Sequence, residues 1–248
     1  MTRPQTAPRT AAKAGHPGPG PQPLFPAGAR RPAAIVAGCG AAVTTALAVL
    51  VAHTSRPSLL DRSADPWLIA HLGPHRRALT LIKDLGAPVD ITIAAAVLVV
   101  VFLALRRTGL ALLVVISVSV TALLTEVVLK PVIHRTLGSF LVYPSGHTGA
   151  AFAVATVIVV ALLGTGQGAI WPRRAIRLVA MVACLGLAAV VGIAMVSRGD
   201  HYLTDVVGGA AFAVTVAVSA TFLLDRPAIA QWLARTDARL AWRSRHGG

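Results

Sequence analysis

The sequence predicts an all-α fold, an integral membrane bundle of six transmembrane helices. Composition is the first reason: 55% of the 248 residues are hydrophobic and only 13% are charged, against roughly 25% charged in a soluble domain. The second is a set of apolar runs at 33–52, 91–105, 109–129, 148–164, 178–196 and 206–224, most near the ~20 residues that cross a bilayer core. The third is backbone chemistry. Inside a bilayer only helices or a closed barrel satisfy every peptide group, and continuous apolar runs of this length belong to helices.

Taken in order, residues 1–32 are rich in Pro, Gly and Ala and carry five basic residues and no acid. They predict a disordered basic cytoplasmic tail. The run at 33–52 lacks a small-residue cleavage site and reads as an uncleaved first span. Residues 54–90 are too polar to cross; Trp67, Leu68, Ile69, Leu72 and Leu79 among charges predict interfacial amphipathic helices in an outer loop. The short run at 91–105 gains length from the preceding "GAPVD" or from tilt. After the sixth run, residues 225–248 form a second basic cytoplasmic tail that lies on the membrane surface or frays. Trp67, Trp171 and Trp232 suit interface anchors. Cys39 and Cys184 lie in apolar runs and read as small buried hydrophobes, not as a disulfide. His53, His71 and His75 show no ligand spacing.

The net charge is +14. With six spans, the N-terminal tail, 106–108, 165–177 and the C-terminal tail share one side and hold 15 of the 23 Lys and Arg. The positive-inside rule places both termini in the cytoplasm of a bacterial-type cell membrane. The basic excess is therefore a topology signal scattered through short loops, and nucleic acid is not an expected partner. The ends of the third and fifth spans and the starts of the fourth and sixth point outward.

Three polar clusters meet at that outward end. "LTEVVLKPVIHR" places Glu126 and Lys130 near the end of the third span, with His134 and Arg135 beyond. "YPSGHT" opens the fourth, and "SRGDHYLTD" joins the fifth to the sixth. Ionisable groups at membrane depth are costly and tend to be paired or functional. His201 and Asp205 stand i and i+4 on one helix face; a carboxylate there fixes the tautomer and makes the other ring nitrogen a better base or nucleophile. Ser145, Gly146 and His147 open a helix whose free N–H groups attract anions. Gly146 lets an anion approach the backbone closely. Lys130, Arg135 and Arg198 add positive charge, and a guanidinium fits a phosphate. The combination describes an anion pocket with two histidines, suited to phosphoryl transfer without a metal.

Each residue also has a structural reading. Ser145 serves as an N-cap, His147 as an interfacial histidine, His201–Asp205 as a packing pair. Glu126 neutralises Lys130 within the span, or Lys130 snorkels to the interface. The coincidence of three clusters on one face favours the site.

These residues resemble the type-2 phosphatidic acid phosphatase superfamily, whose phosphate pocket is shared with vanadium haloperoxidases. "PSGH" matches at Pro144 to His147, "HYLTD" followed by "VVGG" matches from His201, and the family lysine falls at Lys130. The similarity spans roughly 60–224. It implies that His201 attacks phosphorus and forms a phosphohistidine, that Asp205 orients it, and that His147 protonates the leaving oxygen. It further implies that Lys130, Ser145, the Gly146 amide and an arginine hold the phosphate oxygens. Where the family has Arg-Pro, this chain has Leu137 and Gly138, with Arg135 the available arginine. The arginine six residues before the histidine is replaced by Met195, and Arg198 stands three before, about one turn away.

The expected function is a multi-pass membrane phosphatase acting at the extracytoplasmic face on a lipid phosphate or diphosphate: a polyprenyl diphosphate, phosphatidate or phosphatidylglycerophosphate. No cofactor or metal is implied. The expected partners are that lipid and the bilayer; nothing in the sequence speaks to oligomeric state. The alternative is a non-catalytic protein that binds anionic headgroups, favoured by the missing Arg-Pro pair. A metal hydrolase using His134, His147 and His201 is disfavoured, because no H-x-x-x-H or H-E-x-x-H occurs.

Overall fold

The computed structural model describes residues 23–164 and 174–246. The first span is α1 (Ala27–Val51). The outer loop then folds as α2 (Leu59–Leu72) and α3 (Arg76–Asp84), joined by a single 3₁₀ turn. Ser58 and Asp61 start α2 with a capping box: the serine hydroxyl accepts from Asp61 N–H and the Asp61 carboxylate from Ser58 N–H. The second span, α4 (Pro88–Ala104), opens with proline at its first position, where the missing N–H costs nothing. The "GAPVD" segment thus supplies the residues the short apolar run lacked.

The third span runs through α5 (Thr108–Leu123), a π turn (Leu124–Leu129) and α6 (Lys130–Ile133). A two-residue hairpin, β1 (Thr136–Leu137) with β2 (Phe140–Leu141), leads to α7 (Gly146–Leu163). The remaining helices are α8 (Arg174–Ser197), α9 (Leu203–Leu224) and α10 (Pro227–His246). Among the described residues, α1, the α5–α6 unit, α7, α8 and α9 are each long and apolar enough to cross a membrane. The 17-residue α4, together with the α2–α3 segment from which it is bent by 40°, gives a sixth candidate span.

Helices α7 and α9 are the centre of the bundle. Helix α9 packs on α1, α5 and α7, while α7 also contacts α5 and α8; α2 and α3 lie across α8. Leu113, Val114, Val157, Val160 and Val218 are buried where the central helices meet. Ile35, Val49, Val97, Val100, Val179 and Val182 are exposed on the outer faces, as expected where lipid replaces water.

Several expectations are corrected. The ordered chain reaches further back than residue 33: Leu24 and Phe25 donate backbone N–H groups to the Asp225 carboxylate at 2.6 and 3.1 Å, and Phe25 is buried. Arg30, Arg31 and Pro32 interrupt the hydropathy there without interrupting the helix. The expected disorder of residues 1–22 lies outside the described residues, as does Trp171. The C-terminal segment is the helix α10, anchored by buried Leu233 and by Asp237, which accepts from the Thr108 hydroxyl. Cys39 is exposed on α1 and Cys184 half-buried, both free; neither is a fully buried hydrophobe. Trp67 and Trp232 are exposed, as anchors should be.

The "GG" of α9 fixes the site end of the bundle. A Cβ on Gly208 would lie 2.5 Å from the Tyr143 ring, and one on Gly209 would lie 2.4 Å from the Ser145 carbonyl oxygen. Neither neighbour has room to retreat. Gly209→Ala is expected to destabilise the protein by about 2 kcal/mol, read as a lowered melting temperature in detergent; an unchanged melting temperature would refute this packing.

Candidate active site

The site is built where the ends of the α5–α6 unit and α8 meet the starts of α7 and α9. In the π turn the Lys130 N–H bonds to Thr125 O, five residues back, a widening often found at functional sites. The turn sets the Lys130 ammonium 2.7 and 2.9 Å from the two Glu126 carboxylate oxygens. The i, i+4 pairing expected from sequence is therefore formed. The Glu126 carboxylate also overhangs Gly146, 2.9 Å from where a Cβ would stand.

After a cis peptide at Tyr143–Pro144, Ser145 takes the N-cap position of α7. Its hydroxyl makes no cap bond; it is buried and pairs with the Thr148 hydroxyl at 3.1 Å. Its N–H donates to Asp205 O at 2.9 Å, tying the starts of α7 and α9 together. Asp205 is fully buried, and its Oδ2 accepts the Tyr202 N–H at 3.0 Å. His201 Nδ1 stands 3.5 Å from the same oxygen, buried and without an aligned hydrogen bond. His201 precedes the start of α9, so the expected pairing on one helix face, with a hydrogen bond to the carboxylate, is not formed.

Lys130, Gly146, His147 and His201 line one cavity of about 770 Å³. Lys83, Glu126 and Asp200 also line it, together with apolar side chains of α4 (Pro88, Ile91), α5 (Val118, Ala122) and the hairpin (Phe140, Leu141). Sequence reasoning counted Lys83 only as a loop charge. Its position close before "GAP", at the end of an amphipathic helix, was the signal available.

The two arginines lie elsewhere. Arg135 is fully buried behind the cavity: Nη1 donates to Asp205 Oδ1 and Thr204 Oγ1 at 2.5 Å, and Nη2 donates to Asp61 Oδ2 at 2.7 Å. Its guanidinium stacks on Tyr202, 4.3 Å from the ring centre. Arg198 turns to α3, donating to Thr80 Oγ1 at 2.7 Å and pairing with Asp200 at 3.4 Å. Neither is among the residues that line this cavity. Residue spacing allowed the reach, but buried and interfacial acids captured both side chains. Ser145 likewise pairs inward and is not among the lining residues. His134 stands apart, its ring stacked on His53, and no three His, Cys, Asp or Glu side chains are grouped as metal ligands among the described residues.

Asp61 is the residue that sequence reasoning missed. Besides Arg135 it accepts the Thr204 N–H at 2.9 Å and the Thr204 hydroxyl at 3.1 Å. Burial pushes the Asp61 carboxyl up, but donors from Thr204, Arg135 and Ser58 outweigh this and hold it below the usual carboxylate range. Its neighbour Asp65, buried and accepting Leu203 N–H at 3.2 Å, is pushed up to about 6, first by burial and then by the Asp61 charge.

The PAP2 superfamily model matches residues 130–227, which include Lys130, Arg135, the start of α7 and the α8–α9 turn but not Glu126, α4, α5 or the interfacial helices. Among solved structures, the crystal structure of a transmembrane PAP2-type phosphatidylglycerolphosphate phosphatase from Bacillus subtilis is similar, with a TM-score of 0.62 and 22% identity. The match covers 75% of this chain and 94% of that one. At this identity the likeness establishes the fold. No curated protein sequence matches the chain.

Two outcomes test the buried cluster. Arg135→Met leaves Asp61 and Asp205 unpaired in the interior and is expected to cost about 3–5 kcal/mol, measured by thermal unfolding. Asp65 has a raised native pKa, so its stability contribution is full below about 3.8 and lost as pH rises through about 6. Asp65→Asn should therefore stabilise the protein more at pH 7.5 than at pH 5; an equal effect at both would contradict the assignment.

Proposed function

With the PAP2 match as premise, we propose that this chain is a membrane lipid phosphatase. It hydrolyses a lipid phosphate or diphosphate at the extracytoplasmic face through a phosphohistidine. The observation that carries this reading is one cavity lined both by His201, His147, Lys130 and the first turn of α7 and by apolar side chains of α4, α5 and the hairpin. In this reading the charged and imidazole groups take the phosphate and the apolar ones the hydrocarbon chain.

Asp205 faces Nδ1 of His201, so Nε2 is the nucleophile. It attacks phosphorus in line as the bond to the leaving oxygen breaks, and His147 gives that oxygen its proton. Lys130 and the Gly146 amide at the mouth of α7 stabilise the charge on the non-bridging oxygens. Water then attacks the phosphohistidine, yields a proton to His147, and releases phosphate with His201 restored. Arg135 acts behind Asp205 in this scheme, not on the substrate. The basic tally of the loops supports cytoplasmic termini and an outward site.

The headgroup-binding alternative retains one supporting observation: neither arginine lines the cavity. Phosphate release from phosphatidate, phosphatidylglycerophosphate and a polyprenyl diphosphate, each in excess chelator, separates the two readings. The phosphatase reading expects release from at least one lipid and a fall of about 10³-fold or more in His201→Ala. Release from none, by folded protein, would leave the binding reading in its place.

A further inference from the structure

We propose that Lys83 is a second phosphate-binding residue of this site, delivered by the interfacial helix α3 in place of the arginine absent at position 195. The proposal rests on the anion-site reading above. Among the described residues, Lys83 and Lys130 are the cations that line the cavity. Met195, at the vacant position, also lines it but brings no charge, and Arg198 is bound to Thr80 and Asp200. A phosphate dianion held by Lys130 alone would be undercompensated, since Lys130 already shares its charge with Glu126.

The position of Lys83 is fixed from several directions. Gly86 seats the end of α3 directly on the catalytic segment: a Cβ there would lie 2.8 Å from both the His147 carbonyl oxygen and Val191 Cγ1. The Gly86 N–H donates to Lys83 O at 2.9 Å, so the lysine belongs to the turn that touches His147. One residue before it, Ile82 packs against the cluster of Ala151, Ala155, Ala188 and Val191. Three residues before it, Thr80 accepts from Arg198. With the helix held on both sides, the Lys83 ammonium stands 3.6 Å from the Asp200 carboxylate, and both residues line the cavity. Its side chain is 23% exposed, neither solvated freely nor shut away. In this arrangement Asp200 occupies Lys83 until an anion arrives.

A merely structural Lys83–Asp200 strut and a phosphate-binding Lys83 predict opposite signs for the two partners. The test is the affinity of the full-length, detergent-purified protein for inorganic orthovanadate, measured by calorimetry. Melting temperatures of every variant are taken alongside. Lys83→Met is expected to weaken orthovanadate by about tenfold, and Lys83→Arg to keep it within about threefold. Asp200→Asn, which frees Lys83 and also Arg198, is expected to tighten it, and to lose that effect in the Lys83→Met background. With the best lipid substrate, Lys83→Met should raise KM more than it lowers kcat. Lys83→Met and Asp200→Asn both melting lower, with orthovanadate affinity unchanged or weakened in both, would overturn the proposal and leave a strut. Wild-type protein that takes orthovanadate yet hydrolyses no lipid would sink the phosphatase reading, while the affinity series would still decide Lys83. Wild-type protein that takes none would sink both.

Discussion

The arrangement of the site depends on one buried ion bridge, Asp61–Arg135–Asp205. All three side chains are fully enclosed, and taking charges out of water costs several kcal/mol per ion. The cost is offset by dense hydrogen bonding: two carboxylates, the Thr204 hydroxyl and the Tyr202 ring surround one guanidinium. The bridge reaches three elements. It seats α2 on the first turn of α9, fixes Asp205 beside His201, and, through the Asp205 carbonyl, holds the Ser145 N–H at the mouth of α7. Such a network contributes less to net stability than to selecting one arrangement among many.

Around that bridge the molecule divides its work between spans and interfacial helices. The spans supply His147, Lys130 and most of the apolar lining of the cavity, and the turn between α8 and α9 supplies His201. The outer loop, short and polar, supplies Asp61, Asp65 and Lys83 from α2 and α3. These helices lie on α8, so the loop is part of the site and not a mere connector between the first two spans.

Much of this was legible in the sequence. The apolar runs matched the spans, and the i, i+4 spacing of Glu126–Lys130 gave that pair, whereas His201 precedes α9 and stands 3.5 Å from Asp205 without a hydrogen bond. "VVGG", noted in the sequence only as part of the resemblance, is where α9 packs closely on Tyr143 and Ser145. What was not legible was the direction of long side chains. Arg135 and Arg198 each had a phosphate within nominal reach, and each is held instead by an acid distant in sequence or by a partner on α3. Asp61 was hidden for the same reason: 74 residues separate it from Arg135, and only the folding of α2 onto α9 brings them together. The start of α1 was misplaced because hydropathy treats Arg30 and Arg31 as an end, whereas the helix carries them on its exposed first turns.

Both cavity lysines meet a carboxylate, Lys130 on Glu126 and Lys83 on Asp200. A resident carboxylate is a like-for-like competitor of any monoanion, so an incoming group with a single negative charge gains nothing by displacing it. A dianion, with more charge and more acceptor oxygens, does gain. The phospholipids that make up a bilayer are phosphodiesters with one charge at phosphorus, whereas a terminal monoester or diphosphate bears two or more near neutral pH. Under the phosphatase reading proposed above, the internal pairs would set a charge threshold that favours a dianionic headgroup over a phosphodiester.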